Sequence, residues 1–160
     1  MKLFLSSQGR IPRHLWWIGL VCLIGANLLA GSLLWKGYGE ALFLSQGGRT
    51  MAFLVSLPLL YAAYCLAAKR FQDRDRPAAL ARIAISISLF KLVLDLFHVT
   101  GDPWVPTGLD TVFLIVQGGL GIWFIVELGC MPGTAGDNRF GPDPLGPAAR
   151  PAGTSGPAMR

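Results

Sequence analysis

Four long apolar runs, separated by polar segments, limit what this chain can become. Residues 15–35 and 51–68 hold 21 and 18 residues without a single charge. Residues 112–131 hold 20, with Glu127 near the end. Residues 83–99 hold 17 and include Lys91 and Asp95. A bilayer core about 30 Å thick is crossed by roughly 20 mostly apolar residues of helix. Lipid offers no partner to backbone N–H and C=O groups, so each run must satisfy its own as a helix. The first run is longer than the roughly 7–15 apolar residues of a signal peptide. Leu28-Leu29-Ala30 is also a poor cleavage site, so the run is read as a retained span.

The third run is the marginal one. It carries 11 Leu, Ile, Val or Phe residues. At about −0.5 kcal/mol each, these favour insertion by roughly 5 kcal/mol, and two central charges oppose it by about 2.5–3.5 kcal/mol apiece. Lys91 and Asp95 stand one helical turn apart and can pair. The run is therefore expected to insert with its charged stripe turned toward the other helices.

Composition agrees with a lipid-facing exterior. Hydrophobic residues make up 52% of the 160-residue chain and charged ones only 14%, against the quarter or so that a soluble surface usually carries. The net charge of +5 sits in segments flanking the runs, which points to orientation and to anionic headgroups rather than nucleic acid. With four spans, one side collects Lys2, Arg10, Arg13, Lys69, Arg70, Arg74, Arg76, Arg82, Arg139, Arg150 and Arg160. The other has only Lys36 and Arg49, with Asp102 and Asp110 in its second loop. The positive-inside rule then puts both termini in the cytoplasm. Trp16, Trp17, Trp35 and Trp104 fall near the expected interfaces.

The expected fold is thus an all-α polytopic membrane protein with four transmembrane helices, N-in and C-in. Residues 1–145 form its domain, and a Pro/Gly/Ala-rich tail over 146–160 is expected to be disordered. Pro58 should kink the second helix by removing one hydrogen bond, at the Leu54 carbonyl. Ala26 with Ala30, Ala63 with Ala67, and Gly118 with Gly119 or Gly121 offer close helix contacts, and Asn27 an interhelical hydrogen bond. Cys22, Cys65 and Cys130 form no CxxC, and His14 and His98 lie far apart. No metal site, cofactor or disulfide framework is expected.

Three polar segments carry the remaining information. One is Gly9-Arg10-Ile11-Pro12-Arg13 before Trp16-Trp17. The next is Lys69-Arg70-Phe71-Gln72-Asp73-Arg74-Asp75-Arg76. The last is Gly133-Thr134-Ala135-Gly136-Asp137-Asn138-Arg139-Phe140-Gly141-Pro142-Asp143-Pro144. In this order around four apolar runs, they resemble the domain of unknown function 805 family, the YhaH-like proteins of bacterial inner membranes. The resemblance runs from about Ser7 to Leu145. The last segment is its most specific part. The middle one departs from the pattern: Gln72 stands where a His is common, and Pro77-Ala78 replaces a Ser-Gly-Trp stretch. The resemblance implies an integral inner-membrane protein with no established reaction.

All three segments are expected on one face. That gathers Arg10, Arg13, Arg70, Arg76 and Arg139 with Asp73, Asp75, Asp137 and Asp143, and with Asn138. Arginine forks bind carboxylate or phosphate. The cluster reads either as an internal network closing the cytoplasmic end or as a site for anionic lipid headgroups or a membrane protein partner, a second copy included. Within the runs, Lys91, Asp95 and Glu127 are the ionisable residues charged at neutral pH. Such residues suggest a transport role or a structural pair, with Glu127 at a different depth from Lys91. Without a P-loop, HExxH or GxSxG signature, the leading expectation is a non-enzymatic inner-membrane protein. The alternative is a small transporter or channel using Lys91 and Asp95.

Overall fold

The computed structural model describes residues 3–101 and 105–145, and these are helical with polar connections. Helix α1 spans Arg13–Tyr38, the short α2 Ala41–Leu44, α3 Gln46–Asp73, α4 Ala79–Leu96 and α5 Gly108–Phe124. Helix α5 runs directly into a π-helical stretch, Ile125–Cys130.

Local chemistry fixes several of these limits. Pro12 lacks an N–H and stands in extended geometry just ahead of α1. The Ser45 hydroxyl accepts the Gly48 N–H at 3.0 Å and caps α3. Thr107 and Asp110 form a reciprocal capping box at the start of α5. The hydrophobic pattern is weakly one-sided because these helices meet lipid as well as each other. Leu28, Leu114 and Ile115 are 70%, 72% and 69% exposed, and α5 buries none of its residues. A water-soluble chain would not present so much apolar surface.

The long helices run up and down between two ends. At one end, the N-terminal segment, the end of α3 and the segment after Cys130 meet: Arg10 contacts both Asp73 and Thr134. At the other end, Gln46 and Arg49 at the start of α3 reach the Leu96 and Asp95 carbonyls at the end of α4. The buried core lies toward the first end, where Ile11, Trp16, Leu66, Phe71 and Leu128 pack together.

Arg13–Tyr38, Gln46–Asp73 and Gly108–Cys130 are long and apolar enough to cross a membrane, which marks the chain as a membrane protein. Helix α4 is continuous over the third run up to Leu96, but it carries Arg82, Lys91 and Asp95 in 18 residues. Phe97, His98 and Val99, assigned to that run from sequence, lie outside the helix.

Several sequence expectations need correction. The second run ends at Ala68, yet its helix continues to Asp73, because Lys69–Asp73 are buried against neighbouring segments rather than solvated as a loop. Trp16 is not an interfacial anchor; it is 3% exposed and belongs to the core. Asn27 donates to Leu23 of its own helix at 2.9 Å, with no bond across helices among the described residues. A Cβ added at Gly118, Gly119 or Gly121 would meet nothing within 4 Å, so these glycines do not mark a close helix contact. Cys65 is buried, whereas Cys22 and Cys130 are exposed. Lys2, Asp102, Trp104 and the tail from 146 to 160, with Arg150 and Arg160, lie outside the described residues.

Candidate functional site

The last turn of α3 carries Arg70 and Asp73 on one face, three residues apart. The bundle turns that face inward. Asp73 also receives Arg10 from the N-terminal segment, Nε to Oδ1 at 3.1 Å. Arg10 and Asp73 have side chains only 2% and 4% exposed, and Arg70 1%. One carboxylate between two guanidiniums leaves an excess positive charge away from water, which demands further acceptors.

Backbone carbonyls supply them. Arg10 Nη2 donates to the Thr134 carbonyl at 2.6 Å and to its hydroxyl at 3.3 Å. Arg10 Nη1 donates to the carbonyls of Gly136 at 2.7 Å and Gly141 at 3.2 Å. With the Asp73 contact, all five guanidinium donors are engaged. Arg70 donates through Nε to the Leu128 carbonyl at 2.7 Å and through Nη2 to that of Met131. These two arginines therefore bind the segment after α5 rather than facing outward.

That segment is shaped to receive them. The Thr134 N–H and hydroxyl both donate to the Asp73 carbonyl at 2.9 Å. Gly133 lies so close to Asp73 that an added Cβ would fall 2.1 Å from Oδ2. Asn138 donates to the Gln72 carbonyl at 2.9 Å and to Thr134 at 3.0 Å. Asn138 and Gly141 exchange two backbone hydrogen bonds of 3.1 and 3.0 Å, closing a tight turn with Arg139 and Phe140 at its tip. Gly141 has φ 137°, a conformation that a side chain disfavours. Further down the chain, Gln72 donates to the Ser7 carbonyl at 2.9 Å and Lys69 to that of Leu3 at 3.1 Å.

A more exposed ring of charge surrounds this centre. Arg139 pairs with Asp75 at 3.0 Å, donates to the Asp75 carbonyl at 2.7 Å and lies over the Phe140 ring. Arg74 and Arg76 both reach Glu127, Arg76 at 3.4 Å. The π-helical stretch carries Glu127, and its widened turn coincides with this contact. Arg13 and Arg82 stand exposed at the starts of α1 and α4.

Not every residue expected in the cluster joins the arginines. Asp143 accepts the Gly136 N–H at 2.9 Å, and Asp137 accepts the Asp143 N–H at 3.0 Å. These two shape the loop rather than pairing with the central arginines. Glu127, counted with the ionisable residues of the runs but expected near the cytoplasmic interface, lies at this end with Arg74 and Arg76. Thr134, Gly133 and Arg74 matter here without having been singled out as site residues. Thr134 and Gly133 look like ordinary turn residues until the approach of Asp73 is known.

The other end holds Lys91. Its ammonium lies 2.7 and 2.9 Å from the two Asp95 oxygens and 3.5 Å from Asp110. Thr100 donates its hydroxyl to Asp95, and the Gly101 N–H donates to Asp110 at 2.8 Å. The Thr107-x-x-Asp110 spacing was the one sequence sign of Asp110's capping role. A cavity of about 490 Å³ opens beside Lys91, Asp95 and Asp110.

A family model described as protein of unknown function (DUF805) matches residues 4–142, and the chain belongs to that family. No curated protein and no solved structure matches the chain.

Proposed function

We propose that this DUF805 protein is a non-enzymatic, multi-pass protein of the bacterial inner membrane, with four spans and both termini in the cytoplasm. Its cytoplasmic end is a locked platform that gathers anionic lipid headgroups at its rim. One observation carries the reading. Arg10 and Arg70 are buried and engaged with Asp73 and with the carbonyls of residues 128–141. Among the described residues at this end, the outer cations Arg13, Arg76, Arg82 and Arg139 are the exposed ones.

Two physical arguments support the fourth span. Helix α4 has 18 residues, about 27 Å at 1.5 Å per residue, close to the thickness of the hydrocarbon core. Lys91 and Asp95, toward its C-terminal end, pair with each other and with Asp110 of α5. An even number of crossings also keeps the three polar segments on the arginine-rich side, in line with the positive-inside rule.

The rim reading rests on charge and position. Arginines at a membrane surface attract anionic lipid, each contributing about 1 kcal/mol. The test is binding of full-length protein in nanodiscs to phosphatidylglycerol against a neutral lipid background. Neutralising Arg13, Arg82 and Arg139 together should weaken phosphatidylglycerol enrichment while leaving thermal stability near wild type. Unchanged enrichment would overturn the lipid role. Enrichment that falls only when the fold melts would assign the cations to structure alone.

A further inference from the structure

On the outer face of α4, an unpaired cation stands at the head of an apolar groove. Arg82, Ile83, Ser86, Ile87 and Phe90 recur every three or four residues and so share one side of the helix. They line an open groove that Phe113 of α5 joins at its far end. The Phe90 and Phe113 rings stand 6.2 Å apart and bridge the two helices there. Ile83 and Phe90 are each 58% exposed, so these walls face lipid rather than a neighbouring helix. Arg82 lies near the start of α4, at the arginine-rich end. Arg74 and Arg76 reach Glu127, and Arg139 pairs with Asp75. The exposed Arg82 guanidinium, by contrast, has no hydrogen-bond or ion-pair partner among the described residues.

These features fit one kind of occupant. At 1.5 Å per residue, Phe90 lies about 12 Å along α4 from Arg82. The groove therefore runs through most of one leaflet, which is half of a core about 30 Å thick. A guanidinium at a membrane surface binds phosphate, and an acyl chain below that phosphate suits Ile83, Ile87 and Phe90. No carboxylate lines the groove among the described residues. The ammonium of a zwitterionic headgroup would thus find no counterion beside Arg82, which favours a headgroup of net negative charge. We propose that this groove holds one anionic phospholipid of the cytoplasmic leaflet, its phosphate at Arg82 and one acyl chain lying along α4 toward Phe90. The proposal rests on the four-span reading with a lipid-gathering rim, and it singles out one rim cation as the head of a fixed site.

The test uses the full-length protein in nanodiscs of equal phosphatidylglycerol and phosphatidylethanolamine, released into mild detergent for native mass spectrometry. One phosphatidylglycerol per chain should survive release, in preference to phosphatidylethanolamine. Arg82→Gln should lower that retention about fivefold, the effect of one cation at a membrane surface. Ser86→Phe fills the groove at an exposed position with Arg82 intact, and should lower retention as well. Leu89→Phe puts the same ring on the same helix outside the groove and should retain the lipid. Helicity and melting point establish that each variant is folded. The site is overturned by the absence of a retained phosphatidylglycerol, by equal retention of both lipids, or by retention unchanged in folded Arg82→Gln or folded Ser86→Phe. A lipid-free dimer that Ser86→Phe dissociates would likewise overturn it, by assigning the groove to a second copy of the chain. Arg13→Gln with Arg139→Gln should weaken enrichment within the nanodisc and leave the retained molecule in place. Enrichment unchanged in that pair counts against the rim alone, so the groove and the rim stand or fall separately.

Discussion

Arg10 and Asp73, 63 positions apart in sequence, meet at 3.1 Å with side chains only 2% and 4% exposed. The contact joins the N-terminal segment to the last turn of α3. Arg10 then bonds the segment after α5, and Arg70 grips that segment from below. Three stretches that are distant in sequence become one unit through two guanidiniums and one carboxylate.

Removing the shared carboxylate should be severe. Asp73→Asn leaves two buried cations without a counterion, and such a loss costs about 3–5 kcal/mol. Thermal melting in detergent micelles should show a large drop. A double-mutant cycle with Arg10→Gln should be strongly non-additive, since the second change removes one of the orphaned charges. Additive effects would mean that the two side chains act independently.

Gly133 should tolerate no side chain. Gly133→Ala drives a Cβ to 2.1 Å from Asp73 Oδ2, so the loop must shift and weaken the Thr134 and Arg10 contacts. Overpacking of this kind costs about 1–3 kcal/mol. Proteolysis within residues 131–145 should accelerate. Wild-type resistance in the variant would contradict the close approach.

The outer pair should behave differently. Arg139 and Asp75 are 59% and 47% exposed, and exposed pairs contribute about 0–1 kcal/mol. Arg139→Gln should therefore melt close to wild type. A drop as large as that of Asp73→Asn would show that Arg139 belongs to the lock itself.

Much of this was legible in the sequence, and the parts that were not share a cause. Apolar length and charge spacing revealed the helices, because lipid imposes both directly. The three polar segments identified Arg10, Arg70, Asp73 and Arg139 as one cluster. Their separate jobs depend on burial: Arg10 and Arg139 look alike as letters, yet one has all five donors engaged and the other lies at the tip of an exposed turn. The fate of Asn27, Trp16 and the Gly118–Gly121 stretch depends on which side of a helix faces a neighbour. That is hard to read where lipid and protein contacts are equally apolar. Glu127 was placed near this interface by its position in the last run, but the π-helical turn that carries it is not anticipated by a regular helical count.

The charged stripe of α4 gives another test. Lys91→Met alone strips Asp95 and Asp110 of their shared cation and should reduce membrane insertion and yield. Lys91→Met with Asp95→Leu removes two charges, costing up to about 2.5–3.5 kcal/mol each and less for Asp95 in the last turn of α4, and should restore insertion to wild type or above. An insertion assay on the isolated α4 segment and on the full chain checks both. Equal insertion of the single and double variants would mean that the pair does not govern α4.

The most direct test of the whole arrangement is the side on which the chain ends. Fluorescent-protein and alkaline-phosphatase fusions after Arg150, in separate strains, report it. Four spans and a platform built from all three polar segments require a fluorescent, phosphatase-negative cytoplasmic tail. An active phosphatase outside would mean an odd number of crossings, and the assignment of the Arg10–Asp73–Arg70 lock to the cytoplasmic face would be contradicted.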